Sequence, residues 1–123
     1  MHSAFVIDDN RSMADGVCMM LNMLGVRARA AYGPRAALMM LNETIPDIIF
    51  LDINMPGVDG FEVLGYLRRE PRFANIPVVV VTSDDQPETA NKARRTGALL
   101  TIIKPPTVEA IERVLKKVGL LGT

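Results

Sequence analysis

The chain has 123 residues, 14 basic and 14 acidic side chains and one cysteine. That length fits one domain able to bury its own core, and the balanced charge gives no overall field that would draw nucleic acid or an anionic membrane. Cys18 cannot close an internal disulfide, Met1-His2-Ser3 has no signal-peptide character, and no apolar run approaches the ~20 residues of a membrane span, so a cytoplasmic protein is expected, without direct nucleic-acid binding or membrane insertion.

Along the chain, apolar runs alternate with helical patterns. Ala4 to Ile7 reads as a first strand ending at Asp8-Asp9. Met13, Val17, Met20, Leu21 and Leu24 then recur at helical spacing until Gly25. Val26 to Ala31 reads as the second strand, and Gly33-Pro34 opens a helix carrying Ala37, Leu38 and Leu41. Asp47 to Leu51 is the third strand and ends at Asp52. Met55 to Gly60 has loop composition, with Asp59 poised to begin the helix of Phe61, Val63, Leu64 and Leu67. Val78 to Val81 is β-branched throughout, as expected of an interior strand covered on both faces, and Thr82 closes it. Asp85, Pro87 and Glu88 predict a helix start, with Asp85 as the cap, and Gly97 is the stop. Leu99 to Ile103 is the fifth strand, closed by Lys104, and Thr107 begins a last helix with Ile111, Val114, Leu115 and Val118 inward.

Five strand-then-helix repeats imply right-handed crossovers and an α/β fold: a doubly wound five-stranded parallel sheet with helices on both faces. The flavodoxin-like order 2-1-3-4-5 is expected, with its switch point between the first and third strands. Asp8, Asp9, Asp52, Thr82 and Lys104 would then share one rim. Three carboxylates, a hydroxyl and an amine can together hold a divalent cation, offer a nucleophile to phosphorus and bind a phosphoryl group. Taken singly, each residue also has a plain reading. Asp8-Asp9 could cap the first helix, Thr82 could be an ordinary strand residue and Lys104 a solvated strand end.

Asp8-Asp9, Asp52-Ile53-Asn54-Met55-Pro56 with Asp59-Gly60, Thr82-Ser83 and Lys104-Pro105, in that order and each after a strand, resemble the receiver domain of two-component response regulators. The resemblance covers nearly the whole chain, so residues 1–123 are expected to form one receiver domain with no effector domain after Gly122. It implies Asp52 as phosphoacceptor, Thr82 and Lys104 as phosphoryl-binding partners, and Mg2+ (or Mn2+) as cofactor. Asp9 and Asp52 would be direct metal ligands, Asn54 a ligand through its backbone carbonyl, and Asp8 a ligand mainly through water. It further implies a histidine kinase or histidine phosphotransfer protein as donor, a downstream protein partner, a phosphorylation-dependent homodimer, and no enzyme activity toward an external substrate. A cis bond is usual in the family before the proline equivalent to Pro105; the second proline, Pro106, departs from the common pattern.

Thr101 departs further. Many receivers carry an aromatic residue three positions before the lysine, which swings inward on phosphorylation. Thr101 occupies that position here, and no Tyr or Phe follows Phe73. This leaves open a receiver-like interaction module not regulated by phosphorylation. A flavin or dinucleotide binder is disfavoured, because Asp8-Asp9-Asn10-Arg11 would repel phosphate without a metal. On the first helix, Cys18, Met19 and Met23 fall away from the inward stripe and suggest a patch for the phosphodonor; Lys92, Arg94 and Arg95 form a basic cluster on the fourth.

Overall fold

A computed structural model describes residues 1–121 as β1 (Ser3–Ile7), α1 (Arg11–Met23), β2 (Arg27–Ala31), α2 (Pro34–Glu43), β3 (Ile48–Asp52), α3 (Gly60–Arg69), β4 (Val78–Thr82), α4 (Pro87–Thr96), β5 (Leu100–Ile103) and α5 (Val108–Lys117). Gly122, after which no effector domain is expected, lies outside the described residues. All strand pairs are parallel, in the order β2-β1-β3-β4-β5, so the expected architecture holds. β3 and β4 are buried at every residue. Their continuous apolar runs follow from having helices on both faces, where alternation with polar residues would bury the polar ones.

Because side chains alternate across a strand, the sheet divides the core in two. Phe5, Ile7, Ile49, Leu51, Val78 and Val80 face one way and pack with Leu41 of α2, Leu64 and Leu67 of α3 and Ala93 of α4. Ala4, Val6, Ile48, Phe50, Val79 and Val81 face the other and pack with Val17 and Leu21 of α1 and Ile111, Val114 and Leu115 of α5. Phe50 is wholly enclosed, so truncation to alanine would cost about 3–5 kcal/mol.

Three helices start on side-chain caps. Asn10 Oδ1 accepts the Met13 N–H at 3.0 Å, Asp59 Oδ1 accepts the Phe61 N–H at 2.9 Å, and Thr107 Oγ1 accepts the Ala110 N–H at 3.1 Å. Such a cap contributes ~1 kcal/mol. Asn10, not Asp8 or Asp9, caps α1, which leaves both aspartates free of that duty. The expectation for α4 is corrected: Asp85 is not the cap. Gln86 holds that position and makes no side-chain bond there, while Asp84 supplies the oxygens. Leu38 is also less inward than its spacing suggests; Met40 takes the buried position, and Leu38 lies on the rim of a groove between α2 and α3.

Gly60 allows α3 to begin against the end of β3. A Cβ there would lie 2.3 Å from the Ile53 Cα, a backbone atom that cannot move aside cheaply. This close approach folds the Asn54–Asp59 loop back over the rim.

Candidate functional site

The register brings four strand ends to one edge. Ile7 pairs with Leu51, Asp52 with Val81, and Thr82 with Ile103. Asp8, Asp52, Thr82 and Lys104 therefore arrive together, although Asp8 and Lys104 are 96 residues apart. The Lys104–Pro105 peptide bond is cis, and the Lys104 N–H donates to the Thr82 carbonyl at 2.8 Å.

Asp8 and Asp52 are both 3 % exposed. Each keeps one oxygen on a backbone N–H two residues ahead: Asp8 Oδ1 accepts from Asn10 at 2.9 Å, and Asp52 Oδ1 accepts from Asn54 at 2.8 Å. The second oxygen of each faces the same ammonium. Lys104 Nζ lies 3.3 Å from Asp8 Oδ2 and 3.5 Å from Asp52 Oδ2. Burial raises the Asp52 pKa above the ordinary carboxylate value, and the neighbouring Asp8 adds to the rise; the Asn54 N–H and Lys104 offset part of it. Two buried acids and one base leave an excess of negative charge, a condition that a cation relieves.

Asp9 is exposed, yet one oxygen each from Asp8, Asp9 and Asp52 lies within 4.8 Å of the others. Hard carboxylate oxygens at that spacing fit Mg2+, which takes one or two carboxylates and keeps several waters.

Thr82 is wholly buried. Its hydroxyl donates to the carboxamide oxygen of Asn54, and its oxygen accepts the Asp84 N–H at 3.1 Å. Asp84 continues the chain, with Oδ1 accepting the Gln86 N–H at 2.9 Å and Oδ2 accepting the Thr89 hydroxyl at 2.5 Å. These two bonds hold the Asp84 carboxyl below the usual carboxylate pKa. The sequence reading missed the Asn54 side chain and Asp84 altogether. The Asn54–Thr82 contact spans 28 residues and two loops, so no local spacing signals it.

Outside this rim, Met19 and Met23 of α1 are 65 % and 71 % exposed, as their spacing suggests, whereas Cys18 is half-buried. Burial, with Asp15 nearby, pushes the Cys18 thiol up to about 11. Lys92, Arg94 and Arg95 are exposed; Lys92 Nζ sits 4.2 Å from the centre of the Phe61 ring. No helix among the described residues is long and apolar enough to cross a membrane.

The family pattern described as the response regulator receiver domain matches residues 4–116. The chain belongs to this family. Receiver domains are signalling modules of two-component systems that bind Mg2+ at an acidic pocket and interact with histidine kinases and downstream effectors. This receiver is 34% identical over 112 residues to the two-component response regulator ORR8 of Oryza sativa subsp. japonica, covering 90% of this chain and 93% of that one. It is 32% identical over 118 residues to the phosphate regulon transcriptional regulatory protein PhoB of Escherichia coli, covering 93% of this chain but 52% of PhoB. Among solved structures, the chemotaxis protein CheY4 of Vibrio cholerae superposes with a TM-score of 0.88 at 27% identity, covering 96% of this chain and 98% of that one. The receiver domain of NtrX from Brucella abortus gives a TM-score of 0.86 at 30% identity, over 94% of this chain and 96% of that one.

Proposed function

We propose that this receiver accepts a phosphoryl group on Asp52, from the phosphohistidine of a histidine kinase or histidine phosphotransfer protein, in a Mg2+-dependent reaction that changes which protein partner it binds. The observation that carries the reading is the pairing of buried Asp8 and Asp52 across one ammonium, with buried Thr82 closing the neighbouring strand on the same rim. In the transfer, an oxygen of Asp52 forms a bond to phosphorus as the phosphorus–nitrogen bond of the donor breaks, and the bond pair goes to the ring, which leaves as neutral imidazole because its other nitrogen already carries a proton. Lys104 then pairs with a phosphoryl oxygen as a point charge, and Thr82 donates to another. Asp8, Asp9, Asp52 and the Asn54 carbonyl would hold Mg2+, which supplies charge neutralisation for the carboxylates and the phosphoryl oxygens. The product is an acyl phosphate, labile enough for a signal that must decay. No external substrate is implied; self-phosphorylation and self-dephosphorylation are the whole chemistry.

One observation favours the reading of an interaction module indifferent to phosphate: Thr101, on β5 beside Val80, offers no aromatic ring to move. Incubation with acetyl phosphate and Mg2+ decides between the two. The expected result is a mass gain of one phosphoryl group, lost in Asp52→Asn and in the presence of a chelator. A gain that survives Asp52→Asn removes Asp52 as the nucleophile, and no gain at all favours the module.

A further inference from the structure

Thr82 has one proton to donate. A hydroxyl offers one donor and two acceptor lone pairs. Here the proton goes to the Asn54 carboxamide oxygen, and the Thr82 oxygen in turn accepts the Asp84 N–H at 3.1 Å. The same proton cannot serve a phosphoryl oxygen on Asp52 while it serves Asn54. Asn54 is itself fastened to the acceptor, since its backbone N–H donates to Asp52 Oδ1 at 2.8 Å. The backbone that carries the Asn54 side chain is therefore anchored to the residue that is to be modified.

We propose that the Asn54 carboxamide is a latch, a positioning group that holds the Thr82 hydroxyl in the resting state and competes with the phosphoryl group for its proton. This rests on the reading of Asp52 as phosphoacceptor and adds a role for the Asn54 side chain beyond its backbone carbonyl. Asn54 is exposed, so once released its amide finds water and leaves no buried polar atom unpaired. The cost of release is then close to that of the one bond.

The release has a ready path outward. Thr82 cannot turn toward Asp52 without disturbing the Asp84 N–H that leans on it, and the Asp84 carboxylate is the effective cap of α4 through Gln86 and Thr89. α4 buries only Ala93, so its first turn depends on these bonds more than on the core. Thr82, Asp84 and Thr89 thus form a hydrogen-bonded route from the rim to a loosely anchored helix, and it needs no aromatic at position 101.

The test is the affinity for beryllofluoride, a non-covalent phosphoryl mimic, at saturating Mg2+, in wild type, Asn54→Ala, Thr82→Ala and the double variant. Loss of one competing hydrogen bond should tighten binding about fivefold in Asn54→Ala. Thr82→Ala should bind more weakly than wild type, and in that background Asn54→Ala should change nothing, because the contested proton is gone. Without beryllofluoride, the amide resonances of Asp84 and Thr89 in Asn54→Ala should already lie part-way toward their bound positions, a shift that a merely structural Asn54 would not produce. Equal or weaker binding by Asn54→Ala, or the same gain with Thr82 absent, overturns the latch while leaving the phosphoacceptor reading intact. Failure of the wild type to bind beryllofluoride overturns that reading and the latch with it.

Discussion

Asp8 and Asp52 use their oxygens alike, one on a backbone N–H and one toward Lys104. The fixed oxygen orients the carboxylate, and the other remains available for a cation or for phosphorus. The strands place both residues, and Gly60 lets α3 begin against Ile53, next to the Asn54 that Asp52 holds. Gly60→Ala would drive a Cβ into backbone. A loss of about 2–3 kcal/mol is expected by thermal or urea unfolding, with weakened Mg2+ binding; a variant as stable as wild type would show that the loop yields freely. The aspartates and Lys104 were legible in the sequence because each follows an apolar run, and a parallel sheet aligns such ends. The contact of the Asn54 side chain with Thr82 was not, because it depends on how a loop meets a strand end after folding.

At the scale of elements, the strands and helices follow from periodicity, whereas the start of α4 shows where cap spacing misleads. Asp85 satisfies the expected spacing to Glu88, yet Asp84 reaches the helix start because the Thr82 hydroxyl holds its backbone. One local signal overrode another, since the hydroxyl that holds Asp84 is only two residues away. The Asp84 carboxyl is held below its ordinary pKa, so its contribution to stability is present above the unfolded-state value and is lost as pH falls through the depressed one. Thr89→Val removes the largest cause of that depression. The Asp84 carboxyl should then titrate at higher pH by NMR, and hydrogen exchange at the start of α4 should quicken on acidification sooner than in wild type. An unmoved Asp84 titration would contradict the capping role.

For the whole molecule, the rim and α1 present different surfaces to a donor. α1 starts beside the acidic site and exposes Met19 and Met23, adaptable side chains suited to docking a protein partner. Met19→Glu is expected to slow transfer from a phosphohistidine protein roughly tenfold. Modification by acetyl phosphate and the melting temperature should stay as in wild type; unchanged transfer would remove the docking idea. Cys18 lies on the flank of that patch with its thiol held protonated at neutral pH, so alkylation there should be slow. The chain spans 93% of ORR8 but 52% of PhoB, so in this family such a unit occurs both as nearly a whole protein and as part of a larger one. The central claim, common to either setting, is that Asp52 carries the phosphoryl group. It is tested most directly by reacting the protein with acetyl phosphate and Mg2+, reducing the acyl phosphate with borohydride and mapping the product by peptide mass spectrometry. Homoserine is expected in place of Asp52 and nowhere else; homoserine in place of Asp8 or Asp9, or none in the chain, would remove Asp52 as the phosphoacceptor.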